Sequence, residues 1–401
     1  MSVASLLAAD PLLAGKVDLA VVLIVVLKAA LVFVFLLVAT MLMIWFERKV
    51  HADMTNRIGP DQAGPFGVLQ SVADGIKVFF KEDLLPDRAD RFVFRLAPFL
   101  SVVPAFLTFA VVPIGGNFGD GDRGTVELFG HRTLLQLADP PIGVLLVLAM
   151  SSIAVYGVML AGWSSGSKYP LLGAVRASAQ MVSYEAALGL STVAVVLVAG
   201  TLTTSGIVAA QHTWNWNLWA TGVVPFVVFL IAATAELNRP PFDLVEAEQE
   251  LVGGFHTEYS GVRFAMYYLA EFMNTVTMSA IIVTLFLGGP NGPVLAGPRW
   301  LWGIVWFFAK LMLLLFTFVW FRATLPRFRY DQLMDLGWKA LIPLALGWLL
   351  LLIAIRVGDD EGWNPVLVTV AGVAVLAAGY ALLVLAMRTA RRNRELAEVD
   401  V

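Results

Sequence analysis

The chain returns again and again to apolar runs near 20 residues long: about 18–46, 96–115, 141–163, 178–202, 222–238, 264–288, 301–322, 338–356 and 364–387. About 20 helical residues cross a hydrocarbon core, and backbone groups inside it must be satisfied within the segment. The runs therefore predict an all-α fold: a polytopic transmembrane helical bundle of about nine spans. A hydrophobic share of 59% against 14% charged residues agrees. The first 20 residues lack a basic stretch ahead of a short apolar core and cleavage site, so no removable signal peptide is expected.

Most of the 27 Lys and Arg fall in segments that share one side of the membrane if the amino terminus is outside. The positive-inside tendency then places the C terminus and the loop at 236–261 on the cytoplasmic side of the cell membrane. In GPFGVLQSVADGIKVFFKED (64–83), Leu69, Val72, Ile76, Phe79 and Phe80 fall on one helical face, with Asp74, Lys77 and Lys81 elsewhere. That pattern predicts an amphipathic helix in the membrane interface, either an anchor alone or the lip of a site opening sideways to lipid. Trp214, Trp216, Trp219, Trp300, Trp302 and Trp306 cluster near outer span ends, as an interfacial aromatic belt would.

The segment TAELNRPPFDLVEAEQELVGGFHTEYSG (234–261) sets Glu236, Asp243, Glu246, Glu248, Glu250 and Glu258 against one base, Arg239. Carboxylates at a membrane edge are costly unless they handle protons, bind a cation or face an organised cavity. Apolar residues from Phe242 to Phe255 are interleaved with them, which argues against a plain solvated loop. Glu246 and Glu250 share a face if the segment is helical, and all three alternate glutamates do if it is extended. Such neighbours interact, and one or more of their pKa values should rise toward neutrality. Pro240–Pro241 stops the preceding helix, and Gly253–Gly254 permits a sharp turn.

Inside the spans lie Lys28, Glu185, Glu271 and Lys310. Each costs roughly 2.5–3.5 kcal/mol near a helix centre. Glu185 and Glu271 lie at comparable depth, suggesting a proton-accessible path entered from the acidic loop. The alternative is a structural pair, such as glutamate with Lys310. Lys28 is read as snorkelling or locally paired.

The chain has no cysteine, which excludes disulfides, thiolate-held iron–sulfur clusters and cysteine nucleophiles within it. Its four histidines show no metal-ligand spacing, so no metal is expected. Nucleotide and nucleophile-elbow motifs are absent, and no nucleic-acid partner is expected. The Gly- and Asp-rich outer loop around 115–133 hints at calcium, but no twelve-residue ligand loop follows, and it is read as a plain turn. The basic stretches RIGPDQAGPFG (57–67) and RATLPRFRYDQLMDLGWK (322–339) serve either as anchoring charge or to pair with the acidic loop or a soluble partner.

Together, WFERKV (45–50), RIGPDQAGPFGVLQSVADGIKVFFKED (57–83), GAVRASAQMVSYE (173–185), AELNRPPFDLVEAEQELVGGFHTEYSG (235–261), YYLAEF (267–272) and RATLPRFRYDQLMDLGWK (322–339) resemble the H-subunit family of proton-pumping NADH:quinone oxidoreductase, respiratory complex I. The resemblance implies a membrane subunit that forms the quinone entrance and chamber and couples quinone reduction to proton translocation. It implies proton-coupling roles for Glu236, Asp243, Glu246, Glu248, Glu250, Glu258, Glu185 and Glu271. It implies chamber or entrance positions for Arg48, Arg57, Asp74, Lys77, Arg176, Arg239, Phe242, Arg322 and Arg329. Quinone, ubiquinone or menaquinone, would be the substrate, with FMN and iron–sulfur clusters in partner subunits. The partners would be the peripheral-arm quinone-site subunits and adjacent membrane-arm subunits.

On this reading residues 1–356 form an eight-span core, and 357–401 add a ninth span and basic tail. Rival readings are the homologous membrane subunit of an energy-converting hydrogenase or deazaflavin-dependent dehydrogenase, a stand-alone cation/proton antiporter, and a passive anchor. Paired broken helices and an internal repeat, the usual marks of an antiporter, are not found.

Overall fold

The computed structural model describes residues 10–13, 17–119, 122–212, 214–244, 251–295 and 297–399. Its principal helices are α1 (Leu19–Met54), α2 (Gln70–Phe80), α3 (Arg91–Phe109), α4 (Gly143–Ser164), α5 (Lys168–Ala199), α6 (Thr204–Ala210), α7 (Val223–Glu236), α8 (Gly261–Phe286), α9 (Arg299–Thr324), α10 (Tyr330–Asp360) and α11 (Pro365–Val399). Among the described residues, eight of these are long and apolar enough to cross a membrane. The polytopic helical fold is as expected.

One of the nine expected spans, the fifth at 222–238, differs. Helix α7 has 14 residues, roughly 21 Å, which falls short of a core about 30 Å thick. Gly222, at φ +74°, precedes it, and Pro240–Pro241 follows. The chain cannot stay helical at either point.

Helix α8 sits at the centre, with 83% of its most apolar stretch buried, whereas none of the corresponding stretch of α11 is. The sequence of α8 explains this: Ala270, Ser279 and Ala280, with Thr275 and Thr277 between them, are buried and small enough for close helix approach. Helix α11 packs along α10. Early in α10, Leu336–Leu341 form a π-helical turn, where Gly337 faces the Tyr184 ring of α5.

The stretch read as a plain turn in the outer loop is a three-stranded antiparallel sheet: β1 (Asn117–Gly119), β2 (Asp122–Leu128) and β3 (His131–Leu134). Strands β2 and β3 pair from Thr125↔Leu134 to Leu128↔His131. The two-residue turn Phe129–Gly130 takes positive φ at both positions, the geometry that matches strand twist. The glycines mark the bends, and the short TVEL and HRTL runs between them are too brief to stand out as strands.

Two of the intramembrane cations are accounted for here. Lys28 Nζ lies 2.8 Å from Asp10 Oδ2 and 3.0 Å from Thr133 Oγ1 on β3, so α1 is tied to the segment before it and to the sheet. Lys310 Nζ donates to the carbonyls of Leu287, Gly289 and Asn291 at 2.7, 2.9 and 2.7 Å. It therefore closes the C-terminal end of α8, where a cation is favoured, rather than pairing with a glutamate.

The amphipathic helix α2 lies against α1, with Ser71 Oγ donating to the Met41 carbonyl at 3.0 Å. Leu69, Ile76, Phe79 and Phe80 are exposed. An apolar face turned away from the protein suits a helix lying in lipid.

Candidate functional site

The site begins with the way α7 ends. The Gln180 amide of α5 donates to the Ala235 and Phe242 carbonyls at 2.7 and 2.9 Å. Asn238 adopts a left-handed conformation at φ +52°, which asparagine tolerates better than most residues. The chain thus turns back, and Arg239, 5% exposed, enters the interior.

There Arg239 Nη1 lies 2.8 and 3.0 Å from the two carboxylate oxygens of Glu47, which α1 presents at 3% exposure. Arg239 Nε lies 3.3 Å from Glu271 Oε1 on α8, and its guanidinium sits 4.3 Å above the Phe272 ring. Arg322, on the last turn of α9, reaches Glu47 from another side. The result is a charge-balanced row, Arg322–Glu47–Arg239–Glu271, contributed by four separate parts of the chain. Partnered charges are what a low-dielectric interior tolerates, and removing one strands its neighbour.

Beside this row is a cavity of about 70 Å³, lined in part by Glu236, Asn238, His256, Tyr267, Glu271 and Asn274. It has room for several water molecules. A second cavity of about 40 Å³ shares Glu236 and Asn274 and continues toward Thr108, Ser151 and Thr277. Glu236 Oε2 is buried without a hydrogen-bond partner among the described residues. Glu236 also feels the charge of Glu185, whose carboxylate Ser152 Oγ contacts. A charge change at either acid is therefore felt by the other. Burial pushes the His256 imidazole down to about 4, so it is neutral near pH 7.

Gly173 of α5 lets the loop come this close: a Cβ there would lie 2.7 Å from the Gly254 carbonyl carbon.

At the Arg322–Glu47 end of the ion-pair row is a more open groove of about 400 Å³, lined by Glu47, Arg48, His51, Arg57, Pro60 and Arg322, among others. Arg48 lies 2.6 Å from Asp74 of α2, which also accepts from Gln70 at 3.2 Å and lies 3.9 Å from Lys77. Burial opposes the charged form of Asp74, but Arg48 and these neighbours together hold its carboxyl below the usual range.

The other expected site residues are placed as follows. Asp243 pairs with Arg327 at 2.8 Å. Glu258 is half-buried in the loop before α8 and is not among the residues lining either cavity. Glu246, Glu248 and Glu250 lie outside the described residues. The Arg176 guanidinium lies 5.8 Å from the Tyr330 ring centroid, and exposed Arg329 pairs with Asp331 at 3.5 Å. Phe242 is buried, its ring 5.5 Å from both Tyr184 and Phe328. Among the described residues, no cluster of His, Asp and Glu is arranged to hold a metal.

Sequence reasoning missed three residues. Glu47 is the hub of the row, yet in WFERKV it reads as one acid beside two bases at a span's end. Gln180, an amide inside an apolar run, carries a faint signal: a polar group there needs a partner. His256 lacks metal-ligand company and gives no signal of its own.

The family described as NADH dehydrogenase matches residues 27–353. The NADH-quinone oxidoreductase H subunit of Frankia alni is 52% identical over 385 residues, covering 94% of this chain and 82% of that one. The H subunit of Streptomyces avermitilis is 49% identical over 348 residues, 85% of this chain and 75% of the relative. That of Cutibacterium acnes is 47% identical over 373 residues, 88% and 83% respectively. Helical architecture, the extent of the match and the level of identity agree: the chain belongs to the NADH dehydrogenase family, among the H subunits of NADH-quinone oxidoreductase.

Proposed function

We propose that this chain forms the membrane entrance and part of the chamber for quinone, and couples quinone reduction to proton translocation through its acids. The observation that carries the reading is Arg239, buried between Glu47 and Glu271 and adjoining the cavity that Glu236 and Glu271 line. A row of alternating charges responds as a unit. A change of charge or position at one end redistributes the partners at the other.

The groove holding Arg48, Arg57 and Arg322 is the entrance side of this arrangement. Arg48 of this groove pairs with Asp74 of α2, whose apolar residues Ile76, Phe79 and Phe80 are exposed, and a lipid-soluble substrate would arrive from that direction. The path inward runs from Glu271 through Glu236 to Glu185. Asp243 and Glu258 extend the acids toward the cytoplasmic side, and Glu246, Glu248 and Glu250 are assigned a proton-coupling role from the sequence alone. Coupling of this kind needs two arrangements that quinone chemistry biases differently, and the loop at 236–261 is the element proposed to switch. Hydride oxidation and electron transfer, with FMN and iron–sulfur clusters, belong to partner subunits. The N terminus faces outward and the C terminus inward.

We also read residues 357–401 as an addition to the core, because the family match ends at 353 and α11 is peripheral. The test is the assembled complex in proteoliposomes carrying Glu236→Gln or Glu271→Gln. NADH:quinone reductase rate and proton uptake should both fall. Undiminished rate and pumping in both variants reject the assignment.

A further inference from the structure

At the opposite end of the bundle, where α8 finishes and α9 begins, lies a pocket of about 340 Å³ that the quinone reading does not use. One wall is polar: Arg299 Nη2 and His212 Nε2 lie 3.2 Å apart. The other is aromatic: the Trp214 and Trp216 rings stack with centroids 5.0 Å apart, and Phe118 of β1 contributes beside them. The Lys310 ammonium sits 4.6 Å from the Trp216 ring centroid, adding positive potential behind the aromatic wall. No acid lines the pocket among the described residues. Trp214 is 65% exposed and Val294 43% exposed, so the mouth is open.

We propose that this pocket binds the headgroup of an anionic phospholipid from the adjoining leaflet. The position favours a lipid, since exposed tryptophans at span ends sit at headgroup level. The charge favours an anion: a guanidinium fork takes a phosphate oxygen pair, and the histidine offers a further polar contact. The indoles cover the glycerol and first methylenes, which need an apolar wall with some polar tolerance. A zwitterionic choline headgroup fits less well, because its ammonium would meet Arg299 in a pocket that no carboxylate lines among the described residues.

The test places a photo-crosslinking amino acid at Val294 in the intact complex, reconstituted in vesicles of phosphatidylcholine with a minor fraction of phosphatidylglycerol. Irradiation should attach phosphatidylglycerol out of proportion to its share. Arg299→Gln should reduce the adduct about tenfold, the loss of one charge-assisted contact, while Arg299→Lys should keep most of it. Inorganic phosphate should not compete. Proportional labelling of both lipids, labelling indifferent to Arg299→Gln, an adduct with a neighbouring subunit, or competition by free phosphate would each overturn the proposal.

Discussion

Arg239 and Glu47 are 192 positions apart in sequence, yet one guanidinium nitrogen lies within 3.0 Å of both oxygens of the carboxylate. Few contacts in the molecule say more about how the fold is used. A helix from the start of the chain and the break after α7 meet where neither is in water.

Removing Glu47 should therefore be costly. Breaking a buried pair by deleting one partner costs about 3–5 kcal/mol, because the remaining charge is left uncompensated. Glu47→Ala is expected to lower the yield of assembled complex and its melting temperature. Adding Arg239→Met should recover part of the loss. A loss in the double variant equal to the sum of the two single losses, read by native gel and thermal unfolding, would show that the two side chains are not coupled.

His256 supplies a pH prediction with a definite sign. Its folded value of about 4 lies below the ordinary 6.5. In the window between them the unfolded chain binds a proton that the folded chain refuses. Stability is therefore lost as pH falls from about 6.5 toward 4. A thermal-unfolding series across that window should fall more steeply for the parent complex than for His256→Gln. Parallel curves would mean the imidazole is exposed enough to titrate normally.

Much of the fold could be read from the apolar runs alone, because in a bilayer length and hydropathy leave few alternatives. What failed was local. Helix α7 is expected over 222–238 with the rest, but the positive φ at Gly222 and the fixed φ of Pro240 are matters of torsion angles that hydropathy does not register. The sheet at 117–134 is hidden by its glycines. At the site, Arg239, Glu236 and Glu271 stand out because they are charges in apolar company. Glu47 does not, since neighbouring Arg48 and Lys49 make it look like ordinary flanking charge. Its importance lies in partners from α9 and the α7 break, which only the fold brings near.

Lys310→Met offers a contrast with the ion-pair row. Losing three carbonyl contacts should cost about 1–3 kcal/mol for stranded acceptors, lowering thermal stability. The quinone reductase rate per assembled complex should hold. A lowered rate with unchanged stability would instead implicate Lys310 in the chemistry.

Ending the chain after Glu361 removes α11. Because its apolar stretch is unburied, the shortened subunit should assemble and support NADH oxidation at near the parent rate. Failure to assemble would make that helix part of the core.

The tie between Lys28 and Asp10 has a mechanical consequence. Lys28 and Glu47 ride on one continuous helix, roughly 28 Å apart along its axis, and each is clamped by side chains from elsewhere. A rod bolted at both ends does not slide like a piston. Whatever displacement follows a change at Glu47 must be taken up by the segments that answer it, the turn at Arg239 and the end of α9, while α1 stays put as the fixed rail.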